Sequence, residues 1–415
     1  MRESGLGTSV SKYRDLLAIL VLLAIVSLAP FVTSLYNSVQ TNSLVAGVQV
    51  VFFLVAFRGA VEQIRGVTLD PKHFMVSIFV FSALFIVLAS LLFNEASGRS
   101  FFYVANVLFF FSLVWFFSKY ESSFGYILIA KVLSVFLICL IFLGMRVYQG
   151  ESFYDHVFGR PDIYRHLRHL NYDLMAGIGA MFLLVALGRF RAFSFYSVIF
   201  VFSVLLMWTG GRGQFVSLLI FIFGLFFTKF RKLAASVLPV LALACALVVV
   251  SGETNFLFGQ MEKTLESPTL NNVSSGRLKI WSDAWTEGLN GGLLGHGADS
   301  YREFTPYNIV QPHNSIVQFM FEYGIVGLIL WIVFLSWTSL ICVRRVLDKK
   351  SSGSVKVLSS FVLSMYAYSL VDGIFYHAIP FSFMVIIAAA FFVELRRKNS
   401  KGSAVQGQRC ELEKA

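Results

Sequence analysis

Two arginines in this sequence have surroundings suited to binding an anion. Arg212 stands between glycines in the segment 209–214, and the glycines expose the backbone and let a large ligand approach the guanidinium. The planar fork of an arginine matches phosphate oxygens. Arg277 opens a segment with helical spacing, where free backbone N–H groups favour a bound anion. Both positions predict phosphate contacts, and the alternative for Arg212 is an arginine that snorkels at a helix end.

A histidine and an aspartate could supply proton chemistry. His313 follows Pro312 at the start of a long apolar segment, which places it at a membrane boundary. Imidazole moves protons well near neutral pH, although a structural histidine at the interface is the alternative. Asp372 falls at the end of another apolar segment, where an ionisable group usually has a partner, here His313 or one of the two arginines. Glu322 lies off the face of His313 and is interpreted as a helix-packing residue.

A second cationic cluster lies between residues 159 and 171. We interpret it as a site for phosphate or an anionic sugar, with a patch for lipid headgroups as the alternative. The substrate-binding candidates are Arg160, Arg165, Arg168 and His169, together with Asn314 beside His313. The histidines lack carboxylates at a metal-ligand spacing, and no two aspartates stand two positions apart. If the protein is a transferase, arginines rather than a metal must hold a diphosphate leaving group.

The composition indicates the kind of protein in which these residues are positioned. The chain has 415 residues, of which 57% are hydrophobic and only 14% charged. A soluble protein carries about 25% charged residues, so the sequence predicts an integral membrane protein. The net charge of +11 is therefore interpreted as an excess of Lys and Arg on one side of a membrane, and not as a sign of nucleic acid binding.

Apolar segments of about 17–25 residues predict about twelve transmembrane helices. Lys and Arg are concentrated in the connections on the side of the termini, which predicts that both termini are cytoplasmic. The predicted spans are 16–35, 44–64, 74–93, 101–118, 124–145, 173–187, 193–209, 214–228, 233–250, 315–343, 355–374 and 378–395.

These spans divide the chain into four parts. Residues 1–250 are predicted to hold helices 1–9, and residues 251–313 to form a large loop on the outer side of the membrane. Residues 314–397 hold helices 10–12, and residues 398–415 form a cytoplasmic tail. Within the loop, the spacing of Leu278, Trp281, Trp285 and Leu289 predicts an amphipathic helix.

Four motifs in this order resemble the O-antigen ligase and polymerase family of bacterial envelopes. They are the turn Gly211-Arg-Gly213, the helix start Gly276–Trp281, His313-Asn314 followed by Glu322-x-Gly324-x-x-Gly327, and Val371-Asp-Gly-Ile374. The last motif is similar to an acidic position of the ligases in particular. The resemblance covers residues from about 208 to 395, whereas the first half of the chain matches in helix number only.

The resemblance implies an all-α, polytopic, GT-C-like glycosyltransferase of the bacterial inner membrane. Such an enzyme transfers a glycan from an undecaprenyl diphosphate carrier to the lipid A–core acceptor at the periplasmic face. The reaction is inverting and needs no metal or other cofactor. Carried onto this chain, Arg212 and Arg277 hold the diphosphate, His313 orients or deprotonates the acceptor hydroxyl, and Asp372 tunes His313 or an arginine.

Two other functions stay open at this point. A polymerase, or a ligase that glycosylates protein, shares the motifs of the glycan ligase. From a different class, the chain could be a transporter of an anionic lipid-linked glycan. Transporters commonly carry internal repeats and mid-membrane binding sites, whereas this chain has no visible repeat and its polar residues gather at one face.

Overall fold

The computed structural model of the protein is helical throughout the part that it describes. It describes residues 17–23, 25–26, 38–65, 80–82, 84–85, 88–89, 98–120, 123–150, 167–209, 211–250, 276–304, 309 and 311–412. The helices with defined bounds are α1 Ser38–Arg65, α2 Gly98–Lys119, α3 Ser123–Gln149, α4 Leu167–Ala186, α5 Ala192–Thr209, α6 Arg212–Phe226, α7 Arg231–Val250, α8 Arg277–Asn290, α9 Tyr301–Phe304, α10 Ser315–Leu347, α11 Gly353–Ser369 and α12 Ala378–Leu412.

The prediction of a polytopic, all-α membrane protein is confirmed. Within the residues described, five helical segments are long and apolar enough to cross a membrane, and four shorter helical segments are also apolar. Predicted spans overlap α1 to α7 and α10 to α12, although α11 ends at Ser369, before the predicted end of its span at residue 374. The spans 16–35 and 74–93 lie largely outside the described residues. The count of twelve spans stays a prediction. Helix α12 continues to Leu412, beyond the predicted end of its span.

Aromatic rings fill the space between the helices. Phe52 of α1 makes edge-to-face contacts with Phe109 and Phe116 of α2. Phe381 of α12 packs in the same way against Phe102, which ties α12 to α2. Such edge-to-face contacts suit the charge distribution of aromatic rings, so phenylalanine gives the bundle directional packing as well as apolar bulk.

Buried polar groups in the bundle are bonded to one another across helices. Gln49 of α1 donates to the side chains of Asn106 in α2 and Ser382 in α12, at 2.9 Å each. Lys131 of α3 and Asp173 of α4 form a buried ion pair. Since lipid offers such groups no partners, these bonds hold the helices in a fixed register.

Helix α10 is broken sharply at Gly324, where φ is 62° and ψ is −161°. The rings of Phe319 and Trp331 stack with their centroids 4.2 Å apart. Residues twelve positions apart lie about 18 Å apart along a straight helix, so the two arms of α10 must fold toward each other. The single tenth span predicted from the sequence is therefore two helical arms, 315–323 and 325–347.

A glycine-rich turn after α8 fits into this break. His296 and Gly297 donate backbone hydrogen bonds to the carbonyls of Phe321 and Glu322, at 3.0 and 2.9 Å. On the other arm, the N–H groups of Ile325 and Val326 donate to carbonyls of the same turn. Backbone groups that a broken helix leaves without intrahelical partners are thus satisfied by the loop. The turn fixes the short arm that carries His313 at its start.

Candidate active site

The connection between α11 and α12, residues 371–377, is the centre of the candidate site. Helix α11 ends at Ser369, and the N–H of Asp372 donates to the carbonyl of Tyr368 at 2.9 Å. The N–H of Gly373 then donates to the Asp372 carboxylate at 2.8 Å. The chain is thereby folded into a tight structure, here called the 371–377 turn, to which separate pieces of the preceding loop attach.

His313 and Asp372 come together in the structure. The imidazole Nδ1 lies 3.5 Å from a carboxylate oxygen of Asp372, and both side chains are only 5% exposed. This separation is slightly longer than a hydrogen bond, but unliganded enzymes commonly hold catalytic pairs at such a distance. Asp372 is thus placed to orient the imidazole and to stabilise its protonated form. His313, one of the partners predicted for Asp372, is thus in contact with it.

Asn314 has a structural function in addition to its predicted part in substrate binding. Its side chain caps α10 by accepting hydrogen bonds from the N–H groups of Ile316 and Val317, at 2.9 and 3.2 Å. Asn is among the preferred N-cap residues because its short side chain reaches these groups. The cap fixes where the helix begins and so fixes the position of His313 directly before it.

Arg277 contacts the 371–377 turn through its guanidinium. One terminal nitrogen donates a hydrogen bond to the carbonyl of Val371, next to Asp372. Helix α8 begins at Arg277, and its N-cap is Gly276 in the left-handed conformation, with φ of 77° and no side-chain cap. The first turn of α8 therefore lies beside an arginine, an arrangement that favours a bound anion.

The turn that carries Arg212 reaches the same place from α6. A Cβ atom added at Gly213 would lie 3.0 Å from the side chain of Val371 and 3.1 Å from that of Tyr368. Glycine therefore allows this close approach without displacing either side chain, and the backbone of the Arg212 turn lies against the 371–377 turn. The side chain of Arg212 is outside the described part of the structure. Both arginine segments thus converge on Val371.

The predicted cationic cluster is described only in part. Arg160 and Arg165 lie outside the described residues, and Arg168 and His169 are described only as backbone in the first turn of α4. The start of α4 is nevertheless tied to the Arg212 turn, because Thr209 donates to the buried side chain of Asn171 at 2.5 Å. The binding role of the cluster stays a prediction.

The 371–377 turn makes further contacts that sequence reasoning missed. His377 is buried and lies 3.1 Å from the amide nitrogen of Gln311, which is itself fully buried. Tyr376 donates to Asp299 at 2.9 Å and receives hydrogen bonds from Arg302, at 2.6 and 3.2 Å. Tyr376 and His377 directly follow the Val371-Asp-Gly-Ile374 motif, and that position was the one available signal.

Glu322 is a packing residue in the structure, as the sequence indicates. It is fully buried, and the amide of Gln318 lies 3.3 and 3.4 Å from its carboxylate oxygens. Elsewhere, no group of three or more His, Cys, Asp or Glu side chains that could hold a metal ion occurs within the described ranges.

Fold and site together define a polytopic, all-helical membrane protein with a histidine–aspartate pair and an arginine at one end of its bundle. Residues 197–332 match the family model described as O-antigen ligase. This match agrees with the family that the four motifs resemble. Members of this family are glycosyltransferase-like enzymes that act on lipid-linked glycans. A comparison with curated proteins finds no match.

Proposed function

We propose that the protein is an O-antigen ligase of the bacterial inner membrane. It transfers a glycan from undecaprenyl diphosphate to the lipid A–core acceptor at the periplasmic face. The observation that carries the proposal is the His313–Asp372 contact, with Arg277 bonded to the adjacent residue of the same turn. A proton acceptor and a diphosphate-binding cation thus lie within a few residues of each other.

The transfer follows from the chemistry of these groups. The acceptor hydroxyl attacks the anomeric carbon of the glycan, and its proton passes to His313. The bond between that carbon and the diphosphate oxygen breaks on the opposite face, so the configuration inverts. Asp372 stabilises the imidazolium that forms, and Arg277 and Arg212 stabilise the negative charge on the leaving diphosphate. Arginines serve this purpose without a metal ion because each offers a fork of charged donors.

Arg160, Arg165, Arg168, His169 and Asn314 complete the proposal as substrate-binding residues. The tie between Asn171 and Thr209 supports a position for the start of α4 beside the Arg212 turn. Asn314 neighbours His313, and its cap of α10, which fixes this neighbourhood, supports a role beside the acceptor sugar.

Gel analysis of lipopolysaccharide from a deletion strain tests the proposal. A ligase predicts loss of the capped core while carrier-linked polymer accumulates. Core that bears a single repeat would instead identify a polymerase, and normal lipopolysaccharide with altered glycoprotein would identify a protein-glycosylating enzyme. Carrier-linked glycan retained on the cytoplasmic face would identify a transporter. Complementation with the wild-type chain and with His313→Ala links the phenotype to this site.

A further inference from the structure

The backbone at His313 adopts a conformation that must be held in place by its surroundings. Its φ is 58°, in the left-handed region that an L residue with a side chain seldom occupies. Residues kept in such conformations cluster at functional sites, where neighbouring contacts over-determine them. The contacts that hold residues 311–314 are therefore candidates for positioning the imidazole.

Three side chains hold this segment. Trp281 of α8 donates from its indole nitrogen to the carbonyl of Pro312 at 2.7 Å. Asn314 caps α10 and fixes the residue after His313. On the other side, the Gln311 amide and His377 Nε2 lie 3.1 Å apart. The first two contacts restrain the carbonyl before His313 and the helix after it, whereas the third anchors the segment to the 371–377 turn.

The Gln311–His377 contact is built into a closed space. Gln311 is fully buried and His377 is 6% exposed. Gly373 makes room for the Gln311 side chain, because an added Cβ atom there would overlap the amide group. The backbone of the turn also holds His377, because the backbone N–H of His377 donates to the carbonyl of Gly373 at 3.3 Å. The ring of Tyr172 packs beside His377, at 5.6 Å between centroids.

The 371–377 turn therefore contacts both ends of the three-residue segment 311–313. Asp372 contacts the side chain of His313, and His377 contacts the side chain of Gln311. If the second contact is removed, the Gln311 amide nitrogen loses a buried partner, and its amide oxygen has no hydrogen-bond partner among the described residues. The segment is then free to relax toward an ordinary backbone conformation, which turns the imidazole away from Asp372.

We propose that His377, acting through Gln311, is a positioning residue that holds His313 against Asp372. The importance of His377 for glycan transfer rests on the proposed function, whereas its effect on the position of the His313 ring does not. His377 does not itself touch the reacting atoms. Because the Gln311 amide nitrogen donates, His377 Nε2 contributes an acceptor of fixed direction, which the side-chain oxygen of asparagine can partly replace and alanine cannot.

The kinetic experiment compares His377→Ala, Gln311→Ala, the double variant and His377→Asn in purified, full-length protein. We expect kcat to fall roughly 10- to 100-fold, the scale for a reacting group misplaced by about an ångström, while KM changes little. The double variant should be no worse than either single variant, because both remove one contact. His377→Asn should restore part of kcat. Additive losses, or losses confined to KM, would overturn the proposal.

Gln49→Ala is the matched control for a merely structural effect. Gln49 is also a fully buried amide, and it donates to Asn106 and Ser382 within the bundle at 2.9 Å each. The readout is the titration of the His313 ring signal in protein labelled at histidine, identified by its loss in His313→Ala. The signal should shift its titration midpoint in His377→Ala and Gln311→Ala but not in Gln49→Ala. An unchanged midpoint in the first two variants refutes positioning by His377.

The ring titration needs no substrate, so it separates the two proposals. If wild-type protein transfers no glycan while the midpoint shifts as expected, the proposed function fails and the positioning of His313 stands. If wild-type protein transfers glycan and the midpoint does not move, the positioning proposal fails alone.

Discussion

Replacing Gly324 by alanine tests the broken geometry of α10. With φ of 62° and ψ of −161°, Gly324 occupies a region in which a residue with a Cβ atom is strained, at a cost of about 1–3 kcal/mol. The added Cβ would also lie 2.5 Å from the backbone of Leu293 and Gly295. Backbone atoms cannot turn aside as a side chain can, so overpacking costs a further ~1–3 kcal/mol. We expect a loss of about 2–6 kcal/mol in the stability of this region.

Gly144→Ala in α3 is the matched control, because an added Cβ there has nothing within 4 Å. Alanine favours a helix over glycine by up to ~1 kcal/mol, so this variant should be neutral or slightly stabilised. Thermal unfolding followed by tryptophan fluorescence in detergent compares the two variants with wild type, and transfer is measured on the folded fraction. Gly324→Ala should unfold at a clearly lower temperature and lose transfer, because the short arm carries His313. Equal unfolding temperatures and equal transfer in the two variants would refute the account of the break.

Three further predictions concern the chemistry. His313→Ala should lower transfer about 10²- to 10⁴-fold with unchanged expression and membrane insertion, and near-normal turnover by the purified variant would remove His313 from the mechanism. Transfer should persist in excess EDTA, whereas abolition by the chelator with rescue by Mg²⁺ or Mn²⁺ would contradict diphosphate binding by arginine alone. Arg212→Lys and Arg277→Lys should each weaken productive donor binding roughly tenfold or more, since lysine offers a point charge instead of a fork. A double-mutant cycle on transfer rate should be non-additive, and small additive losses would place both arginines at the headgroup level only.

The elements of the fold follow from the sequence more directly than their bends do. Long apolar segments predict α3, α7 and α12 because a membrane-spanning helix must satisfy its own backbone and face lipid. The break at Gly324 is different, since an isolated glycine within an apolar run is also compatible with a straight helix. It depends on the glycine-rich turn that supplies partners for the free backbone groups, and that turn lies some thirty residues earlier in the chain. Hydropathy carries no information about such a pairing.

The site divides in the same way. The residues named from their local setting, His313, Asp372 and Arg277, do lie at one turn, because helix ends and loop boundaries bring polar residues to one end of a bundle. His377 and Gln311 have no distinctive local setting: one follows a tyrosine and the other precedes a proline. Their proposed role depends on the contact between their side chains, which lie 66 positions apart in the sequence and meet only in the packed structure.

The buried pair of Lys131 and Asp173 sets a condition on how the protein is made. Each charge would cost about 2.5–3.5 kcal/mol at the centre of a helix that enters the membrane from the translocon alone. In the finished bundle the two groups neutralise each other between α3 and α4. Insertion of α3 and α4 into lipid as one hairpin would place each charge beside its partner, whereas a chain that stops after α3 leaves Lys131 without this carboxylate.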